Sequence, residues 1–180
     1  MSPRPEIVPE PGAALLELYD VALPQVYGYL VARCGQRALA EDLTAETFLA
    51  AVTACRSAAP PRLSVGWLVG VARHKLVDHW RRAEREARGL RAAAAEPPPD
   101  DDPIEERLDV LLAHEALRTL APHHRAALTL RYLDGLAVPE VAAHLGRTTR
   151  ATEALLVRAR TAFRRVYRDM GLSEEGARDD

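Results

Sequence analysis

Apolar and polar positions follow the helical period through two long blocks of the chain, and no stretch shows the strict alternation of a β-strand. The first block covers residues 13–90 and the second covers about 104–170. Between them, RAAAAEPPPDDDP contains three consecutive prolines, which block helix propagation, and three aspartates that repel one another. The pattern predicts an all-α protein with two small helical domains joined by a flexible acidic linker.

The boundaries follow from local composition. Residues 1–12 carry four prolines and no periodicity, so they are expected to form a disordered tail. The first domain is predicted at 13–90, the linker at 91–106 and the second domain at 107–170. The polar residues 171–180 are expected to be a frayed tail.

The segment ALAEDLTAETFLAAV (38–52) predicts a helix with two distinct faces. Asp42, Glu46 and Leu49 share one face, and Ala45 and Phe48 lie on another together with Val52. An acidic pair beside an apolar residue suits docking on a basic partner. A solvated helix face that serves only solubility explains the same pattern.

A second informative helix is predicted over residues 64–85, with Ser64 as its N-cap. Its apolar stripe consists of Val65, Val69, Ala72, Leu76 and Ala83, with Trp80 at the edge. The opposite side combines Trp67 with bases, as single-stranded nucleic acid requires, because cations bind phosphates and rings stack on unpaired bases. The alternative is that both tryptophans belong to the core, surrounded by bases; Trp80 is assigned there.

The second block predicts a helix over residues 104–120, with Leu108, Leu111, Leu112 and Leu117 on its apolar face. Pro122 is expected to start the next helix, whose core residues are Ala126, Ala127, Leu130 and Leu133. Asp134-Gly135 then forms a turn.

A helix-turn-helix pattern follows in residues 139–168. A short helix ends at Gly146, and a long arginine-rich helix begins after a Thr148 or Thr149 N-cap. Arg150, Glu153 and Val157 share the outward face where base contacts arise. Phosphate contacts are expected from Arg147, Arg150 and the N-terminal amides. Arg160, Arg164 and Arg168 continue the face, either touching the DNA backbone or solvated.

The charge distribution supports contact with a polyanion at two places. The net charge is only −2, but residues 146–168 hold seven arginines and a single acid, and residues 65–91 hold seven bases and three acids. Two cysteines without a CxxC motif, and no nucleophile–base cluster or glycine-rich phosphate loop, predict a protein that is not an enzyme and has no metal or cofactor. Without a signal-peptide pattern or a spanning apolar run, a cytoplasmic protein without membrane contact is expected.

Several of these segments together resemble the sigma-70 family of RNA polymerase sigma factors, within it the small extracytoplasmic-function group. The resemblance lies in LYDVALPQVYGYLVARCGQRALAEDLTAETFLAAV, WLVGVARHKLVDHWRR, LRTLAPHHRAALTLRYLDGLAVPEVAAHLG and VRARTAFRR. It covers about residues 15–82 and 108–168. It implies a subunit that binds core RNA polymerase and directs promoter recognition and melting.

The resemblance also implies roles for particular residues. The clamp helices of the largest polymerase subunit would meet Asp42, Leu43, Glu46, Thr47 and Phe48. The melted −10 element would meet Trp67, Arg73, His74, Lys75, Asp78, His79, Arg81 and Arg82. The −35 element would meet Arg147, Thr148, Thr149, Arg150, Glu153, Val157 and Arg160, with the flap of the second-largest subunit nearby. An anti-sigma factor is a further implied partner.

The chain departs from the family pattern at several positions. Ser64 stands where an aromatic residue is common, which reduces the expected stacking surface. Glu153, Ala154 and Leu155 replace a basic-polar pattern, so unusual −35 readout is expected, with Glu153 accepting from a cytosine amine. Thr152 replaces an aliphatic residue and is expected to loosen local packing.

Two other functions compete with the sigma-factor hypothesis. A stand-alone helix-turn-helix regulator would read duplex DNA as a dimer, but it has no use for AEDLTAETFL. A helical protein-interaction module would show no salt-dependent DNA affinity.

Overall fold

The structure, a computed structural model, describes residues 11–90 and 110–176, and these contain helices but no strand. The helices are α1 (Pro11–Cys34), α2 (Arg37–Cys55), α3 (Val65–Leu90), α4 (Val110–Thr119), α5 (Pro122–Leu128), α6 (Val138–Leu145) and α7 (Thr149–Gly176), and a π-helical turn (Thr129–Leu133) continues α5. The predicted all-α class is confirmed. The chain divides into two compact units, Met1–Leu76 and Val77–Asp180.

In the first unit, α1 packs against α2 after a tight reversal. Gly35 takes a φ of 63°, a left-handed conformation that only glycine adopts readily, and its N–H donates to Val31 O. The residues buried between the helices are mostly aliphatic: Val26, Leu30, Leu43 and Ala51. Burying them removes apolar surface from water, which stabilises the fold by about 25 cal/mol for each Å² buried.

Residues 56–64 interrupt the predicted continuous helical block, and α3 begins directly after them. Ser64 Oγ accepts a hydrogen bond from Trp67 N at 3.1 Å, so the predicted N-cap is confirmed. The apolar stripe of α3 is rotated from the prediction. Ala72 and Leu76 are buried, but Leu68, Val77 and Trp80 are also buried, whereas Val65, Val69 and Ala83 are only half-buried.

In the second unit, α7 packs against α4, α5 and α6. Leu130, Val141, Leu155 and Leu156 lie in the core together with Ala159. Pro122 stands in the first turn of α5, where its missing N–H costs nothing, as predicted. The Asp134-Gly135 turn is also present, with Gly135 at a φ of 69°.

Two predicted core leucines are instead exposed. Leu111 is 82% exposed, because adjacent residues on a helix cannot share a face. The neighbouring Leu112 lies on the same face as the buried Ala116, and Leu111 therefore points away from it. Leu133 is 41% exposed because the π-helical turn inserts an extra residue and rotates the side chains that follow. Neither the predicted start of α4 at Ile104 nor Leu108 falls within the described residues.

The ends of the described segments differ from the predicted tails. α1 starts at Pro11, within the predicted tail, since proline is tolerated in a first helical turn. α7 continues beyond Met170 to Gly176, because each added residue of a formed helix gains a backbone hydrogen bond. The predicted linker 91–106 lies outside the described residues. Within the described ranges, no helix is long and apolar enough to cross a membrane.

Candidate functional site

The predicted docking residues of α2 lie on two different faces. Asp42 is exposed and Glu46 and Phe48 are half-buried, whereas Leu43 and Thr47 are buried. The Thr47 hydroxyl donates to Leu43 O at 2.7 Å, which satisfies it inside the core. Leu43 and Thr47 therefore fix the helix in place, and the surface available to a partner is formed by Asp42, Glu46, Phe48 and the 67% exposed Leu49.

An apolar groove of about 530 Å³ lies beside this acidic face, between α1 and α2. The Tyr19 and Phe48 rings meet there with centroids 5.0 Å apart and planes tilted by 60°. The other apolar walls include Leu23, Tyr27 and Ala45. Sequence reasoning missed the α1 side, although the four-residue spacing of Tyr19, Leu23 and Tyr27 marks one helix face.

The predicted single-strand face of α3 is largely accessible. His74, Asp78, Arg81 and Arg82 are exposed, and Trp67, Arg73, Lys75 and His79 are half-buried. The two tryptophans differ: Trp80 is only 3% exposed and belongs to the core, as predicted, whereas Trp67 is half-buried. Asp78 pairs with Arg81 at 3.7 Å, so one acidic residue on this face is partly neutralised.

An ion pair links the acidic face of α2 to the basic face of α3 within the first unit. Lys75 Nζ lies 3.3 Å from Glu46 Oε2, with the two side chains 33% and 44% exposed. The sequence pattern assigned these residues to separate surfaces and did not predict that they meet. Their contact depends on how α3 lies beside α2, which helical periodicity does not specify.

The helix-turn-helix is held by a defined cap on each side of its turn. Gly146 has a φ of 63°, Arg147 N donates to Ala142 O, and Gly146 N donates to Ala143 O, which is a Schellman motif. On the other side, Thr148 Oγ1 accepts from Ala151 N at 3.2 Å, so Thr148 rather than Thr149 is the N-cap. The turn is therefore fixed by two backbone hydrogen bonds on one side and by a side-chain cap on the other.

At the start of α6, the Glu140 carboxylate accepts from Ala137 N at 2.7 Å. Alanine has no side-chain acceptor to return the bond, so only half of a capping box is present. Val141, Ala142 and Leu145 face the core.

The outward face of α7 presents most of the predicted −35 residues to solvent. Thr148, Thr149, Arg150 and Glu153 are exposed, whereas Arg147, Val157 and Arg160 are half-buried. Arg160 Nη1 donates to the exposed Tyr132 hydroxyl at 3.3 Å, a positioning contact that sequence reasoning missed. Thr152 is fully buried, and its hydroxyl donates to Thr148 O at 3.0 Å, so the expected loosening is offset by a hydrogen bond.

One carboxylate of the second unit has a shifted pKa. Burial raises the pKa of Glu84, but hydrogen bonds from Arg88 and His123 and their charges outweigh burial and lower it overall. The contacts are short, at 2.8 Å to Arg88 and 2.6 Å to His123. Among the described residues, no group of three or more metal-ligating side chains is present.

Comparisons with known proteins agree with this arrangement. A family model for sigma-70 region 2 matches residues 18–86, and one for sigma-70 region 4 matches residues 111–163. The ECF RNA polymerase sigma factor SigL of Mycobacterium tuberculosis is 30% identical over 168 residues, which cover 89% of this chain and 93% of that protein.

A second relative is longer than this chain. The ECF RNA polymerase sigma factor BldN of Streptomyces coelicolor is 34% identical over 157 residues, and the match spans 84% of this chain but 60% of that protein. The sigma factor RpoE from Bartonella quintana, solved in complex with the anti-sigma factor NepR, shares the fold. It has a TM-score of 0.52 at 20% identity and covers 86% of this chain and 97% of that one.

Both sigma-70 regions are thus present in family order, with the acidic helix in the first and the helix-turn-helix in the second. The protein is not an enzyme, since sigma factors are non-enzymatic subunits of RNA polymerase. The chain belongs to the sigma-70 family as an extracytoplasmic-function sigma factor, which directs RNA polymerase to promoters.

Proposed function

We propose that the acidic face of α2 and the apolar groove beside it together form the surface that docks on the clamp helices of the largest polymerase subunit. The observation that carries this proposal is that Asp42 and Glu46 lie on the same helix as Phe48, which walls the groove together with Tyr19. Interfaces commonly combine a desolvated apolar anchor with a charged rim that steers association.

Charge reversal tests the docking surface. Asp42→Arg with Glu46→Arg is expected to weaken core binding on the order of a hundredfold, because like charges would face each other across the interface. The matched control is Glu86→Arg with Glu115→Arg, which makes the same charge change at exposed residues of the second unit. Affinity is measured with labelled core polymerase, and circular dichroism checks folding. Normal core affinity in the folded Asp42/Glu46 variant would overturn the docking assignment.

The basic face of α3 is proposed to capture the melted non-template strand of the −10 element. Trp67 supplies a partly accessible ring, and Arg73, Lys75 and Arg82 supply cations farther along the same helix. Promoter melting then needs no hydrolysis, because stacking of unpaired bases stabilises the open strand by about 1–3 kcal/mol per base. Trp67→Ala is expected to slow open-complex formation, and Trp67→Phe should restore part of it.

The N-terminal half of α7 is proposed to read the −35 element in the major groove, next to the flap of the second-largest subunit. Arg150 and Glu153 project from the exposed face, and the fixed turn positions them. Linking the two DNA-binding regions in one chain raises the effective concentration of the second contact. An anti-sigma factor that covers either surface would block this activity.

Run-off transcription with core polymerase and sheared genomic DNA, followed by sequencing of transcript 5′ ends, tests the whole assignment. Discrete start sites that share two upstream elements are expected. Replacing Glu153 with Gln should then alter base preference in the upstream element alone. A folded protein that gives no start sites, but symmetric footprints on duplex DNA without polymerase, would support a stand-alone regulator instead.

A further inference from the structure

The Lys75–Glu46 ion pair joins two residues that the proposed function gives to different partners. Glu46 belongs to the proposed polymerase-docking face, and Lys75 belongs to the proposed single-strand face. Both lie in the first compact unit, so their contact does not depend on the other unit. Lys75 is also the single lysine of the chain, which makes its ammonium group a unique chemical reporter.

Two other acidic residues near these positions have different partners. Asp78 pairs with Arg81 at 3.7 Å, and Glu41 pairs with Arg37 at 3.1 Å along α2. Glu46 is therefore the carboxylate that holds Lys75. A lysine ammonium is a compact point charge, so an anion in direct contact competes with a DNA phosphate for the same position.

We propose that in the free protein the Glu46 carboxylate binds the Lys75 ammonium in the place of a DNA phosphate. Core polymerase then releases Lys75 by binding Glu46. The inference rests on the proposed function of the two faces. A basic partner surface that pairs with Glu46 weakens its hold on Lys75, whose ammonium then becomes available to the melted strand. The melted strand therefore binds more tightly to the polymerase-bound protein than to the free protein.

The size of the effect is bounded by the exposure of the pair. Both side chains are partly solvated, so the coupling is expected to be about twofold to fivefold in affinity. Because coupling between two ligands is reciprocal, single-stranded DNA should also strengthen core binding by the same factor.

A double-mutant cycle on the free protein tests the ion pair. Binding of a short fluorescein-labelled oligothymidylate is followed by anisotropy at low salt. Glu46→Gln is expected to raise the affinity about twofold to fivefold beyond the gain from Glu41→Gln, which removes the same charge from the same helix. In a Lys75→Gln background the two substitutions should have equal effects. An equal effect in the wild-type background as well would overturn the proposal.

Chemical labelling tests the release step directly. An amine-reactive ester acylates Lys75 in the free chain, in the complex with core, and in that complex with promoter DNA, and peptide mass spectrometry measures the extent. Labelling should increase when core binds and fall when DNA is added. Unchanged or reduced labelling on core binding would overturn the release by core.

Co-elution of the same samples with core distinguishes failure of the proposed function from failure of the Lys75–Glu46 proposal alone. A wild-type chain that does not bind core contradicts the proposed function. A chain that binds core and the single strand, but shows no coupling in the cycle and no gain in labelling, contradicts only the Lys75–Glu46 switch.

Discussion

At the scale of single residues, the decisive features are ones of backbone conformation and burial rather than of reactive chemistry. Gly146 provides the left-handed residue that ends α6, and Thr152 shows that a polar residue is tolerated in the core when its own helix accepts the hydrogen bond. Glu84 shows that partners can outweigh burial in setting a pKa. These details determine how firmly the surfaces are held.

Replacing Gly146 with alanine is expected to destabilise the protein by about 1–2 kcal/mol, because a Cβ is disfavoured at a φ of 63°. Gly28 is the control, since it lies inside α1 with no atom within 4 Å of an added Cβ. Gly28→Ala should stabilise the protein by about 0.5–1 kcal/mol. Urea unfolding measures both, and effects of the same sign would contradict the explanation.

The lowered pKa of Glu84 predicts a pH-dependent contribution to stability. Because its folded-state pKa lies below the ordinary value of 4.5, folding favours the ionised form. The contribution is complete above the unfolded-state pKa and is lost as the pH falls through the lowered folded-state pKa. The unfolding free energy of the wild type should exceed that of Glu84→Gln by about 1 kcal/mol at neutral pH, and this difference should disappear in acid. A gap that is constant with pH in urea unfolding would contradict this.

At the scale of elements, the helix-turn-helix depends on its caps. α6 is short, and such a helix is marginal by itself, so its C-terminal Schellman motif and the Thr148 cap of α7 determine the angle between the two helices. The core-facing sides of the two helices consist of Val141, Ala142, Leu145, Leu156 and Ala159, all of which are buried.

Removing the cap should therefore affect both stability and DNA binding. Thr148→Ala is expected to cost about 1 kcal/mol of unfolding free energy and to weaken −35 duplex binding, because Ala151 N loses its acceptor. Thr148→Ser should retain both, and Thr149→Ala, which leaves the cap intact, is the neighbouring control for stability. Equal losses of unfolding free energy in the Thr148 and Thr149 alanine variants would show that the cap is not the cause.

At the scale of the whole molecule, the charge distribution matters more than the net charge of −2. Arginine is concentrated in α7, so promoter affinity should fall steeply with salt as counterions are released. The slope of the logarithm of the binding constant against the logarithm of the salt concentration should be about −0.9 for each neutralised phosphate. The acidic residues of α2 lie on a different element and serve a different proposed partner.

The salt slope distinguishes a phosphate contact from a base contact. If Arg150 binds a phosphate, Arg150→Gln should reduce the slope by about 1 and weaken binding equally on all sequences. If it binds a base, the slope should change little and discrimination at one position should fall by about 1–3 kcal/mol. Fluorescence titrations over a range of salt concentrations decide between them, and Glu153→Gln provides the comparison on the same face.

The sequence by itself determined the helical class, the two helical blocks, the turn at Gly146 and the exposed face of α7. These follow from local physics: periodicity marks a buried stripe, and glycine and threonine mark helix ends. The motif AEDLTAETFL likewise identified the acidic helix. The four-residue spacing of Tyr19, Leu23 and Tyr27 in α1 was equally local and was overlooked.

Only the tertiary structure decided which residues of these elements meet. It buried Leu43 and Thr47, exposed Leu111 and Leu133, and formed the groove between α1 and α2. It also brought Lys75 to Glu46, two residues far apart in sequence. Periodicity gives each helix a face but not its neighbour, since the neighbour depends on crossing angles and on packing at long sequence separation.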